Sequence, residues 1–118
     1  MPNINIVVID YGLGNLFSVV KAFLAIGVEA SLTDKAEAIK TADAIVLPGV
    51  GAFKDGMEGL KGRGLVESIK EHAFKNKPFL GICLGMQMML SESEEFGLCQ
   101  GLDLIKGRVI RLPHVQNQ

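Results

Sequence analysis

The hydrophobic positions change period several times along the chain, and each change predicts an element. Ile4 to Ile9 is a short, mostly apolar run that closes on Asp10-Tyr11-Gly12. That is the pattern of a strand buried on both faces of a parallel sheet. Leu16, Val19, Val20, Phe23 and Leu24 then recur at helical spacing. This predicts a helix with Asn15 as its N-cap and Gly27 at its end. Val28 to Leu32 reads as a second, weaker strand, and Lys35 to Lys40 as a short polar helix. Ala44 to Leu47 is a third strand, cut off by Pro48-Gly49. The glycine-rich stretch from Gly49 to Gly64 reads as loop with one broken helical turn. Leu65, Val66, Ile69 and Ala73 mark a further helix that ends near Asn76-Lys77-Pro78. Phe79 to Ile82 is a fourth strand, Met86 to Leu90 a helix, Ser91 to Gly97 a polar loop and Arg108 to Leu112 a last strand.

Strand and helix alternate through residue 90, so the class is α/β, with a mainly parallel sheet and helices on both faces. No internal repeat or low-complexity tract interrupts this order. Ligands of open α/β sheets bind beyond the carboxyl ends of the strands. Three glycine-rich turns follow strand ends here: Asp10 to Asn15, Pro48 to Ala52 and Cys83 to Gln87. All three are expected along one edge of the sheet.

Composition narrows the classes. A chain of 118 residues that is 48% hydrophobic makes one domain with a real core. Its 12 basic and 13 acidic residues leave a formal charge of -1. No broad basic field is available, which argues against nucleic acid or an anionic membrane as partner. Glycine, at 14 residues, exceeds the usual share of about 7%, as tight turns near a ligand would require. Cys83 and Cys99 form neither a disulfide framework nor a C-x-x-C pair. With His72 and His114 as the only histidines, no zinc-ligand spacing exists. The N-terminus lacks the pattern of a secretory leader, and no run approaches the ~20 apolar residues of a spanning helix. A reducing cytoplasm is the expected compartment.

The chemistry concentrates in Gly81-Ile82-Cys83-Leu84-Gly85, which has the form of a nucleophile elbow with cysteine in place of serine. The central residue of such an elbow sits in a strained turn, and the flanking glycines remove side chains that would clash. Cys83 then lies at the positive end of the next helix's dipole. The backbone N–H of Leu84 is expected to be free for an oxyanion. A buried structural cysteine in a glycine-rich turn is the competing reading. Pro48-Gly49-Val50-Gly51-Ala52 leaves backbone N–H groups able to face a developing negative charge, or else is a simple sharp turn. Asp10-Tyr11-Gly12-Leu13-Gly14-Asn15 lacks the third glycine of a dinucleotide fingerprint, since Phe17 stands there. Dinucleotide binding is not expected.

Gly81-Ile82-Cys83-Leu84-Gly85-Met86-Gln87 resembles the nucleophile motif of class I, triad-type glutamine amidotransferases. Asp10 to Asn15 together with Pro48-Gly49-Val50-Gly51-Ala52-Phe53 resembles, more narrowly, the glutaminase subunits of imidazole glycerol phosphate synthase, and the similarity continues through Gly101 to Gly107. The resemblance implies a flavodoxin-like amidotransferase fold, with residues 1–118 as the N-terminal portion of a single domain that is incomplete at its C-terminus. It implies Cys83 as the nucleophile on the side-chain amide of glutamine. Leu84 and the Gly49, Val50 and Gly51 turn would bind the oxyanion, and Gln87 would border the glutamine pocket. Gly12, Gly14 and Asn15 would face a synthase partner, a (β/α)₈-barrel cyclase that uses the ammonia in histidine biosynthesis. Neither metal nor other cofactor is implied.

The family's triad is completed by a His-x-Glu pair, and this chain contains none. His72 is expected to be a solvated surface residue. His114 follows Pro113 without the Gly-Trp of the family's Pro-His-x-Gly-Trp segment, so it is not assigned as base. Cys99 is expected to pack as a small apolar residue. Three alternatives stay open: a cysteine hydrolase or chaperone-like protein with the same elbow, a non-catalytic module that docks a partner barrel, and an amidotransferase subunit serving another synthase, such as one making surface-polysaccharide amino sugars.

Overall fold

A computed structural model describes residues 4–113. Its main sheet has the strands β1 (Ile6–Ile9), β2 (Ala30–Thr33), β3 (Ala44–Leu47) and β4 (Phe79–Gly81), in the order β2-β1-β3-β4. Every neighbouring pair is parallel. This is the start of the flavodoxin-like order, whose crevice opens between β1 and β3. The connections are helices: α1 (Leu16–Ala25), α2 (Ala36–Thr41), and the pair α3 (Phe53–Gly62) and α4 (Val66–Phe74). Asn15 caps α1 as expected, its Oδ1 accepting from the Ser18 N–H at 3.2 Å, and Gly27 follows the helix at φ +81°.

The two faces of the sheet are covered unequally. Val7, Ile9, Ile45 and Leu47 point to one face, where they pack with Ile39, Leu60, Leu65 and Ile69 in the core. The other face carries the row Leu32, Val8, Val46 and Leu80, aligned by the strand register. Only α1 among the described helices covers this second face, and none of its residues is buried.

Three expectations are corrected here. The glycine-rich stretch after Pro48 is not a broken turn but the ten-residue helix α3. Phe53, Met57 and Leu60, at i, i+4 and i+7, supply an apolar stripe that outweighs the poor propensity of its glycines. Those glycines also set packing distance: a Cβ on Gly56 would lie 2.6 Å from Met88 Sδ, and one on Gly59 2.6 Å from the Tyr11 carbonyl oxygen. The polar loop after Leu90 is instead the strand β5 (Leu90–Ser93), central in a small second sheet. It pairs antiparallel with β6 (Cys99–Gln100) and parallel with β7 (Ile105–Val109). Its polar composition hid it: Arg108 of β7 bridges Glu92 at 3.8 Å and Glu94 at 2.8 Å, and only Ser93 of the strand is buried. The third correction is His72, which is 1% exposed on α4. Leu65, Ile69 and His72 follow helical spacing, so the ring joins the inward stripe. Its Nε2 lies 3.0 Å from the Pro78 carbonyl, and Phe79 meets its edge.

The five-residue helix α5 (Leu84–Met88) sits against β3. A Cβ on Gly85 would collide with the Leu47 carbonyl oxygen, so this helix approaches the strand at bare-backbone distance. The loop after β1 is anchored by Tyr11, whose buried hydroxyl donates to the Pro48 carbonyl at 2.5 Å. Burial pushes its pKa up from 10 to about 12.

Two predictions follow from this packing. Gly85→Ala should cost about 3 kcal/mol and lower Tm by roughly 10 °C or more. Gly62→Ala, where nothing lies within 4 Å, should be neutral or stabilising by under about 1 kcal/mol. Equal effects in thermal denaturation would refute the packing argument. Tyr11 is the only tyrosine and the chain has no tryptophan, so phenolate absorbance reports one group. Folded Tyr11 should titrate near pH 12 and unfolded Tyr11 near 10. The neutral phenol's contribution, roughly 2–3 kcal/mol, is then complete below pH 10 and lost between 10 and 12. Tyr11→Phe should flatten that alkaline fall; a folded chain titrating near 10 would contradict the buried placement.

Candidate functional site

Cys83 has φ +53° and ψ −117°, a region that side-chain-bearing residues avoid. Backbone hydrogen bonds hold it there from both sides. The Ile82 N–H donates to the Leu47 carbonyl at 3.0 Å, and the Gly85 N–H donates to the Ile82 carbonyl at 2.9 Å. The Gln87 N–H donates to the Cys83 carbonyl itself at 3.1 Å. Gly81 is required on the other flank, because a Cβ there would lie 2.8 Å from Met86 Cα. The side chain that results is exposed and carries a free thiol. This is the local geometry of a nucleophile elbow, so the reading of a buried structural cysteine is corrected.

The three glycine-rich turns meet. A Cβ on Gly14, at φ +114°, would lie 3.1 Å from Gly49 Cα, so the turns after β1 and β3 are in contact. The Gly49 carbonyl in turn accepts the Leu84 N–H at 3.1 Å, which joins the turn after β3 to the elbow. That bond corrects the expectation of a free Leu84 N–H. An anion at Cys83 gains this donor only when the Gly49 carbonyl turns away. Val50 is exposed, and Gly51, at φ +113°, has open space around it. The N–H groups of both make no hydrogen bond among the described residues.

The remaining predicted positions fall around this contact. Gln87 is half-buried on α5, one helical turn beyond Cys83. Gly12 is exposed, with the Arg63 guanidinium lying over it, and the exposed Asn15 spends its side chain on the α1 cap. Cys99 packs half-buried against the core, as expected of a small apolar residue. His72 is bonded to Pro78, which takes it out of consideration as a partner for Cys83, and His114 lies outside the described residues. Among the described residues no three His, Cys, Asp or Glu side chains are grouped to hold a metal, and no helix is long and apolar enough to cross a membrane. Tyr11 was not singled out from the sequence. Its signal was a lone tyrosine between a buried strand and a glycine turn, a place where a phenol must find an acceptor.

Comparison with known proteins places the chain in a family. The family model described as glutamine amidotransferase class-I matches residues 7–116. The "imidazole glycerol phosphate synthase subunit HisH" of Syntrophotalea carbinolica is 55% identical over 108 residues, covering 92% of this chain and 52% of that protein. The subunit HisH 1 of Legionella pneumophila (strain Paris) is 56% identical, covering 90% and 50%, and the Symbiobacterium thermophilum HisH is 52% identical, covering 92% and 51%. The chain thus spans about half the length of the curated relatives it matches. A solved structure described as a glutamine amidotransferase superposes with a TM-score of 0.75 at 19% identity, over 89% of this chain and 56% of that one, and supports the fold. With the matched family model spanning nearly the whole chain, this protein belongs to the class-I glutamine amidotransferase family.

Proposed function

We propose that this chain is the nucleophile-bearing portion, residues 1–118, of a glutaminase subunit of imidazole glycerol phosphate synthase. The exposed Cys83 on its strained elbow is the observation that carries the reading. In this reaction the Cys83 sulfur adds to the carboxamide carbon of glutamine. The amide nitrogen takes a proton and leaves as ammonia, and water cleaves the γ-glutamyl thioester to glutamate. Negative charge builds on the carboxamide oxygen in both steps. The Val50 and Gly51 N–H groups, which make no hydrogen bond among the described residues, and the Leu84 N–H, once released from the Gly49 carbonyl, would serve it. Gln87 borders the glutamine side of the pocket.

Ammonia then passes to a cyclase partner of (β/α)₈ form, with Gly12, Gly14 and Asn15 on the facing loop. The exposure of Gly12 and Asn15 beside the turn that contacts Gly49 favours that assignment. Two free cysteines, one of them exposed, suit a reducing cytoplasm. No side chain among the described residues is assigned as the general base, since His72 is buried and engaged. This chain on its own should therefore release little or no ammonia from glutamine.

The reading is tested by labelling and turnover. A diazo-ketone analogue of glutamine should modify Cys83 and spare Cys99 in the full-length subunit assembled with its synthase partner. Cys83→Ala there should lower glutaminase turnover by at least about 10³-fold. Modification of Cys99 in place of Cys83, or turnover that survives Cys83→Ala, would refute the assignment.

A further inference from the structure

We infer that Tyr11 is a positioning residue for the proposed glutaminase step, on which reading this inference rests. Its hydroxyl pins the peptide between Pro48 and Gly49, so that the movement that frees the Leu84 N–H is confined to the next peptide, between Gly49 and Val50. The turn after β3 divides at Gly49 into a held part and a loose part. On the held side, the pyrrolidine ring limits Pro48 to a φ of about −65°. The Pro48 carbonyl accepts the buried Tyr11 hydroxyl at 2.5 Å and makes no other hydrogen bond among the described residues. With φ set by the ring and the carbonyl direction set by the phenol, this peptide has one orientation. Tyr11 is itself fixed. It is 1% exposed, and Gly59 of α3 packs on its carbonyl oxygen, which a Cβ there would approach to 2.6 Å. A Cβ on Gly49 would collide with the Tyr11 hydroxyl, so the phenol also fills the place of a side chain at residue 49.

Beyond Gly49 the restraints end. The Gly49 carbonyl is held by one bond, from the Leu84 N–H at 3.1 Å. The Val50 and Gly51 N–H groups make none among the described residues, and Val50 is 61% exposed. A trans peptide carries its C=O and N–H on opposite edges. Turning the Gly49–Val50 peptide therefore uncovers the Leu84 N–H and brings the Val50 N–H round to the side that the carbonyl leaves. Donors stabilise a developing anion best when they are already in place as the charge forms. Were the Pro48 carbonyl also free to turn, both donors would be spread over many positions. The Tyr11 bond removes that freedom. Cys83 is held separately, because the bonds of the elbow run to the carbonyls of Leu47, Ile82 and Cys83, and none of them involves Tyr11. The phenol thus governs the oxyanion turn and leaves the thiol alone.

The test uses Tyr11→Phe in the full-length subunit assembled with its synthase partner, assayed well below the Tm of the variant. Its kcat for glutamine should fall by about tenfold or more while KM stays within about twofold, because the oxyanion donors act on the transition state and not on bound glutamine. Alkylation of Cys83 by iodoacetamide, followed on the Cys83 peptide by mass spectrometry, should keep the wild-type rate. That rate reads the elbow without any oxyanion being formed. An unchanged kcat in Tyr11→Phe overturns the inference. So does a fall in kcat accompanied by an equal rise in KM or by slower alkylation, since either marks a general loosening of the fold. Turnover that survives Cys83→Ala is a different result: it removes the glutaminase reading and the role of Tyr11 with it, whereas the first two outcomes leave that reading standing.

Discussion

The structure depends on one close approach, that of Gly85 to the Leu47 carbonyl. Helix α5 begins immediately after Cys83, and it can lie on β3 only because residue 85 has no side chain. From that contact the Ile82 N–H reaches Leu47, and the Leu84 N–H reaches Gly49. Together they hold Cys83 in a backbone region that costs of order 1–3 kcal/mol. The strain persists because it is over-determined, with backbone bonds on both sides of the sulfur-bearing residue. An exposed thiol on a fixed backbone is the outcome, and it follows from sterics before any catalytic argument is made.

The same constraint explains the chain of glycines that runs across the sheet edge. Gly49 packs under the Tyr11 hydroxyl, which is bonded to Pro48, and Gly14 packs on Gly49. Each glycine brings one turn within reach of the next, so three loops from three strands become a single surface. Larger side chains at these positions would separate the turns by the width of a methyl group or more. Glycine enrichment and site formation are therefore one physical fact, since the site consists largely of backbone.

Much of this was legible in the sequence, for reasons that differ by element. Buried parallel strands announce themselves as apolar runs, so β1, β3 and β4 were located almost to the residue, with β3 at Ala44–Leu47 as expected. The α1 boundaries followed from Asn15 and Gly27. Helix α3 was missed because glycine lowers helix propensity, and what rescues it is tertiary: Gly56 and Gly59 allow α5 and Tyr11 to approach. β5 was missed because its polar strand is held by pairing and by Arg108, neither of which leaves a local apolar period. His72 was misplaced by residue type, although its spacing from Ile69 assigned it to the buried stripe. The Leu84 bond to Gly49 could not be read from either motif alone, because it joins two turns far apart in the chain.

The unequal burial of the two sheet faces bears on what the molecule is as a folding unit. One face gathers its core from Val7, Ile9, Ile45, Leu47 and the helices α2, α3 and α4, and that core alone contains most of the buried apolar side chains. Among the described residues the other face has a single helix with no buried residue, although Val8 and Val46 beneath it are themselves shielded. Each large apolar side chain left half-covered there forgoes roughly half of the ~1.5–3 kcal/mol that full burial contributes. Leu80, Phe23 and Ile82 are in that position, and Leu80 and Ile82 lead directly into the elbow that carries Cys83. The least completed surface and the most constrained backbone thus meet at the end of β4. Stability gained by covering the first would directly stiffen the platform from which the second projects.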